Sequence, residues 1–140
     1  MNWLKKLFGS DSSKPTQVPS VATLKKEAGN IFVLRIGGKL NKATVDHIQA
    51  FAAREIERGT TDLKVLLVLA DFTGWKGGDN WGDINFFIQY EANISKIAVV
   101  GEPRWEAETL AFLGAGRRTG QVKFFKAGLE IQARAWLAEG

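Results

Sequence analysis

The stretch DFTGWKGGDNWGD, from Asp71 to Asp83, sets three aspartates, four glycines and two tryptophans directly behind the apolar run VLLVLA. A glycine-rich segment after a buried strand is where open α/β folds place ligands. Residues of these types could cradle a phosphate, hold a divalent cation or form a lid over a crevice. A phosphate cradle needs free backbone N–H groups at a helix N-terminus and no competing anion. Asn80 is a plausible cap with Asp83 three residues on, so the helix's own side chains claim those donors, and Asp79 repels an anion. Asp71, Asp79 and Asp83 lack the regular ligand spacing of a loop such as the EF-hand. The three acids read better as caps and solubilising groups.

Covalent chemistry finds no parts either. His47, the single histidine, falls on a helix beside an apolar stripe and reads as a surface or boundary residue. Ser95 starts a strand, which puts it at the end of the sheet opposite the C-terminal crevice. Cysteine is absent. The segment GAGRRTG, Gly114 to Gly120, resembles a dinucleotide loop in composition, but it follows a helix and precedes a strand, the reverse of the required order. It reads as a helix terminus with a basic loop. No catalytic residue, metal or cofactor is expected, and the chain is read as non-enzymatic.

The lid remains. Around a helix starting at Trp81, the apolar side chains through Ile94 spread over roughly 240°, whereas packing on one sheet face needs a stripe only somewhat wider than about 100°. The excess must face a neighbouring helix, a partner subunit, an apolar ligand or a membrane. Candidate ligand-binding residues are Phe72, Trp75, Trp81, Phe86, Phe87, Tyr90 and Trp105, the last just beyond the C-terminal end of the next strand. Gly74, Gly77 and Gly78 supply backbone freedom for a hinge.

The elements that position these residues alternate along the chain. Val21 to Ala28 and Ile31 to Ile36 flank the turn signal Gly29-Asn30 and predict an antiparallel hairpin. Asn41 or Thr44 opens a helix whose stripe Val45, Ile48, Ala52 and Ile56 has helical spacing, and Gly59 closes it. Val65 to Ala70 predicts a strand buried on both faces. A helix over about 81–92, a strand at 97–100, a helix from Pro103 to about Leu113, a strand at 122–125 and a closing helix at 129–137 complete the order. This is α/β: a mixed five-stranded sheet with an N-terminal antiparallel hairpin and about four helices.

With 140 residues, 45% of them hydrophobic and 24% charged, the chain has the composition of an ordinary globular domain. Its net charge of +4 is modest and its basic residues are interleaved with acids, so no nucleic-acid partner is expected. Absence of cysteine makes a cytoplasmic location the simplest reading.

Residues 1–9 differ from the rest. Trp3, Leu4, Leu7 and Phe8 gather on one side of a short helix, with Lys5 and Lys6 away from it. The segment is far short of the ~20 residues that span a bilayer and lacks the features of a signal peptide. Residues 10–20, rich in Ser, Pro and Thr, read as a flexible linker, and 21–140 as the folded domain. The expectation is a peripheral, reversible contact with the inner membrane face.

Four segments in order, IGGKL, DFTGW, KIAVVGEPRW and VKFFKAGLEIQARAWL, resemble those of the SpoIIAA-like family of the STAS superfamily. The resemblance implies a small α/β fold related to the CRAL-TRIO lipid-exchange domains. It also implies an Asp-Ser-Ser-Gly turn carrying a regulatory serine, whose positions here hold Asp79, Asn80, Trp81 and Gly82. Both serines are missing, so phosphorylation control does not carry over. Two functions stay open: binding of a lipid-like or amphipathic small molecule in an apolar crevice, or a phosphorylation-independent contact with a protein partner or a second copy.

Overall fold

The computed structural model describes residues 20–76, 90–114 and 120–139. Five strands, β1 (Ser20–Glu27), β2 (Ile31–Leu40), β3 (Leu63–Trp75), β4 (Ile94–Gly101) and β5 (Gln121–Lys126), lie side by side in that order. The first pair is antiparallel and the others are parallel. Three α-helices lie among the described residues: α1 (Lys42–Glu57), α2 (Glu106–Phe112) and α3 (Glu130–Ala138). Most of the fourth expected helix, over about 81–92, lies outside the described residues, and at its expected end Glu91–Asn93 form a 3-10 turn.

The local chemistry predicts most of these boundaries. Gly29 and Asn30 turn the hairpin at φ 83° and 60°, in the left-handed region that glycine and asparagine tolerate. Asn41 caps α1, its side-chain oxygen accepting from the Thr44 amide at 2.8 Å. Pro103 opens a 3-10 turn, Pro103–Trp105, that leads into α2. Gly114, at φ 74°, follows α2 and donates to the Ala111 carbonyl, so the start of GAGRRTG is a helix terminus as its order implied.

Alternation along β3 builds two cores. Leu63, Leu67 and Leu69 join Phe32, Leu34, Val45 and Ala52 on the face covered by α1 and α2. Leu66 and Val68 join Val33, Ala98, Ala133 and Leu137 under α3. The double-sided burial expected of 65–70 is therefore present from Leu66 to Leu69, while Val65 is half-buried and Ala70 is exposed.

Polar groups tie α3 to the sheet. Lys96, 8% exposed on β4, donates to the carbonyls of Trp136 and Glu139 at 2.8 and 2.9 Å, a cation at the C-terminus of α3. Its Nζ also stands 5.0 Å from the Trp136 ring centroid. Arg35 of β2 forks onto Glu130 with bonds of 3.0 and 2.9 Å, and Arg134 bridges Glu130 and Glu27 at 3.0 and 2.8 Å.

These pairs give a pH signature. The hydrogen bond from Arg134 holds the Glu27 carboxyl below its usual value, and the bond from Arg35 does the same for Glu130. A carboxylate whose folded pKa is depressed adds stability that is complete above its unfolded pKa and is lost as pH falls through the folded value. Melting temperature should therefore fall from about pH 6 to about pH 3, with part of that loss absent in Arg35→Gln. Since the groups are largely solvated, the difference between the two curves is small. Parallel curves would show that the pairs carry no linkage.

Candidate functional site

The continuous apolar run ends at Ala70, but β3 runs on to Trp75 through two bulges. Pairing with β2 steps from Ile36/Leu69 to Gly38/Phe72 and then to Lys39/Gly74, so β3 holds an extra residue at each step. Asp71 adopts φ 57° and Gly74 φ 115°. The first bulge has a direct effect on side-chain direction. Simple alternation after Leu69 would send residue 71 to the α1 face; instead Asp71 is exposed and Phe72 joins that core at 3% exposure. A loop-like composition had hidden a strand.

The extension builds an aromatic cluster at the C-terminal ends of the parallel strands. Phe72 packs edge-on against Trp75 and Trp105, with ring centroids 5.1 Å apart in both pairs. Trp75 lies 6.1 Å from Trp105 and 6.0 Å from Phe112 of α2. Such tilted contacts add stability beyond burial itself. Gly74 is integral to the arrangement, since a Cβ on it would stand 3.2 Å from Cη2 of Trp105. Gly74→Ala should destabilise the domain by about 1–2 kcal/mol through its positive φ, and should shift the near-ultraviolet circular dichroism as Trp105 is displaced. An unchanged urea midpoint and aromatic spectrum would contradict this packing.

Beside the cluster, between the sheet and helices α1 and α2, is a cavity of about 110 Å³. Its floor is Phe32, Leu34, Leu67 and Leu69 of the sheet. Val45, Ile48 and Ala52 of α1 form one wall, Thr109, Phe112 and Leu113 the other, and Phe72 with Trp75 one end. Among the described lining side chains Gln49 and Thr109 are the polar ones, and none is charged. The volume is similar to the roughly 150 Å³ of an apolar cavity that takes up benzene or xenon.

The site residues expected from sequence divide into groups. Phe72, Trp75 and Trp105 come together as described. Tyr90 is half-buried and stands apart, its hydroxyl donating to Glu57 in the last turn of α1, toward the strand N-termini. That bond raises the Tyr90 pKa. Trp81, Phe86, Phe87, Gly77 and Gly78 lie outside the described residues, as do Trp3, Leu4, Lys5, Lys6, Leu7 and Phe8. Sequence reasoning missed Thr109, Phe112, Leu113 and the wall from α1. The stripe Val45, Ile48, Ala52 of α1 was visible as core, but nothing in its period marks a gap beneath it.

The residues weighed for other chemistry are dispersed. Ser95 Oγ lies 3.5 Å from the Leu63 carbonyl at the start of β3, while His47 sits in the first half of α1, toward the other end of the sheet. No group of three or more His, Cys, Asp or Glu with metal-binding geometry occurs among the described residues. Nor is any helix among them long and apolar enough to cross a membrane.

A mixed sheet of this order, with helices on both faces and its aromatic cluster at the strand C-termini, is a STAS-type α/β module. The chain belongs to the SpoIIAA-like family, whose model matches residues 31–138. It is similar to the crystal structure of an uncharacterized DUF3478-family protein with a SpoIIAA-like fold from Shewanella loihica PV-4. The TM-score is 0.64 at 14% identity, over 85% of this chain and 94% of that one, a likeness of fold. No curated protein matches the chain.

Proposed function

We propose that the domain is a non-enzymatic binding module that receives the apolar part of a lipid-like or amphipathic small molecule in the cavity beneath the Phe72, Trp75 and Trp105 cluster. The observation that carries this reading is the cavity itself. Interiors are packed to crystal density with few voids larger than a water, and an apolar space of this size leaves the side chains that line it short of dispersion contacts. Filling it with a ligand recovers them. The volume accepts a benzene-sized body or the end of an aliphatic chain, so a larger amphiphile would leave its polar part outside.

Titrating the purified full chain with toluene tests this. Methyl resonances of Leu67, Leu69 and Leu113 should shift saturably, and residues under α3 should not. Shifts that never saturate, or that spread evenly over both cores, would contradict the reading. Native mass spectrometry would show whether an amphiphile copurifies.

We propose in addition that residues 1–9 make a reversible contact with a membrane surface. Sedimentation with anionic liposomes should retain the full chain better than a form starting at Ser20, and Lys5→Glu with Lys6→Glu should weaken it. Equal binding by all forms would remove that part.

One observation favours a second reading, a protein-interaction module. Ile131, in the first turn of α3, is 81% exposed beside a crevice lined by Asp71, Glu102 and Glu130. Saturable binding of a protein partner that is lost in Ile131→Lys, with toluene uptake intact, would support it.

A further inference from the structure

The cavity has polar atoms at its edge that no described residue pairs. Thr109 is 2% exposed and lines the cavity, yet its Oγ1 has no hydrogen-bond partner among the described residues. A helical threonine commonly turns its hydroxyl to a carbonyl three or four residues back, and Thr109 does not. The indole Nε1 of Trp75, another lining residue, is also buried without a partner there, and so is that of Trp105, which packs against it. Buried polar groups in folded proteins are nearly always paired, so each exception needs an explanation.

The donor types narrow what could pair with them. An indole N–H donates only, whereas a threonine hydroxyl donates and accepts. Oxygen acceptors therefore satisfy all three groups, and an ammonium satisfies neither indole. With no charged side chain among the described lining residues, an ionised group would meet no counter-charge from them, which is strongly disfavoured. We propose that the site selects neutral oxygen-bearing molecules. A compact aromatic or short aliphatic body fills the cavity, and its hydroxyl or carbonyl oxygen pairs with Thr109 and accepts from the Trp75 indole. This rests on the cavity reading above and deepens it by naming the ligand class.

The test compares toluene, phenol and benzoate on the full chain, using methyl shifts for affinity and indole N–H resonances for contact. Phenol should bind saturably and move the Trp75 indole N–H downfield, toluene should bind without that shift, and benzoate should not saturate. Thr109→Val should lower the ratio of phenol to toluene affinity by about tenfold. Trp75→Phe should act in the same direction, and Thr109→Ser, which keeps the hydroxyl, should retain the ratio. An unaltered ratio in Thr109→Val and Trp75→Phe, or saturable binding of benzoate, would overturn the proposal. Toluene binding alongside either result would leave the cavity reading standing; failure of both toluene and phenol would sink the two together.

Discussion

Gly37→Ala is expected to lower the unfolding free energy by about 3 kcal/mol, a large loss for a single added methyl group. A Cβ at Gly37 would lie 2.6 Å from the Ala70 carbonyl oxygen. That obstacle is backbone, held by the parallel pairing of β2 and β3 on either side of the first bulge, so it has no rotamer to move into. Relief requires the two strands to separate where their register is already shifted. Gly59 offers the contrast: it has φ 108° and nothing within 4 Å of the point where an added methyl would stand, so its alanine variant bears backbone strain without a clash. Urea unfolding of Gly37→Ala should show a lower midpoint with an unchanged slope. A midpoint within experimental error of the parent would contradict the β2–β3 geometry, and with it the placement of Phe72.

Ala52→Leu should have the largest effect on binding. Ala52 is 7% exposed on the middle of α1 and lines the cavity. Alanine and leucine are both good helix formers, so the exchange hardly disturbs α1 itself. The added isopropyl group projects toward the cavity and occupies space that a ligand would need. Toluene affinity should fall about a hundredfold, equivalent to about 2.7 kcal/mol. Stability should at the same time rise by about 1 kcal/mol, because a void has been filled. The opposite signs make the result diagnostic. Loss of binding together with loss of stability would indicate a damaged fold, and unchanged affinity in a well-folded variant would place the ligand elsewhere.

Legibility in the sequence followed from which features leave a periodic trace. The stripe of α1, the hairpin turn and the continuous apolar run of β3 have periods of their own, and their elements stand where those periods imply. Four of the five residues of IGGKL have a structural account: Ile36 and Leu40 are buried, Gly37 lies against β3, and Gly38 takes φ 70°. The segment from Asp71 to Trp75 misled because a bulge uses the same residue types as a loop. Among the described residues Asp71 is one of three non-glycine residues with positive φ, and the others are Asn30 and Asp62, the residue types that tolerate this region. The aromatic site was partly visible, since the strand C-terminal ends bring Trp75 near Trp105. The cavity was not. A void is a small mismatch between the volumes of α1, α2 and the sheet, and such a mismatch has no sequence period. The unpaired hydroxyl of Thr109 was hidden for the same reason, because its partners depend on tertiary placement.

The central claim is that an apolar, ligand-accepting space exists between the sheet and helices α1 and α2. Xenon is the most direct probe, since it enters dry apolar cavities and is seen without any assumption about the natural ligand. In crystals of the full chain pressurised with xenon, a peak is expected among Leu67, Val45, Ala52 and Leu113, and it should disappear in Ala52→Leu. A cavity region without xenon, closed by the protein's own side chains, would contradict the account.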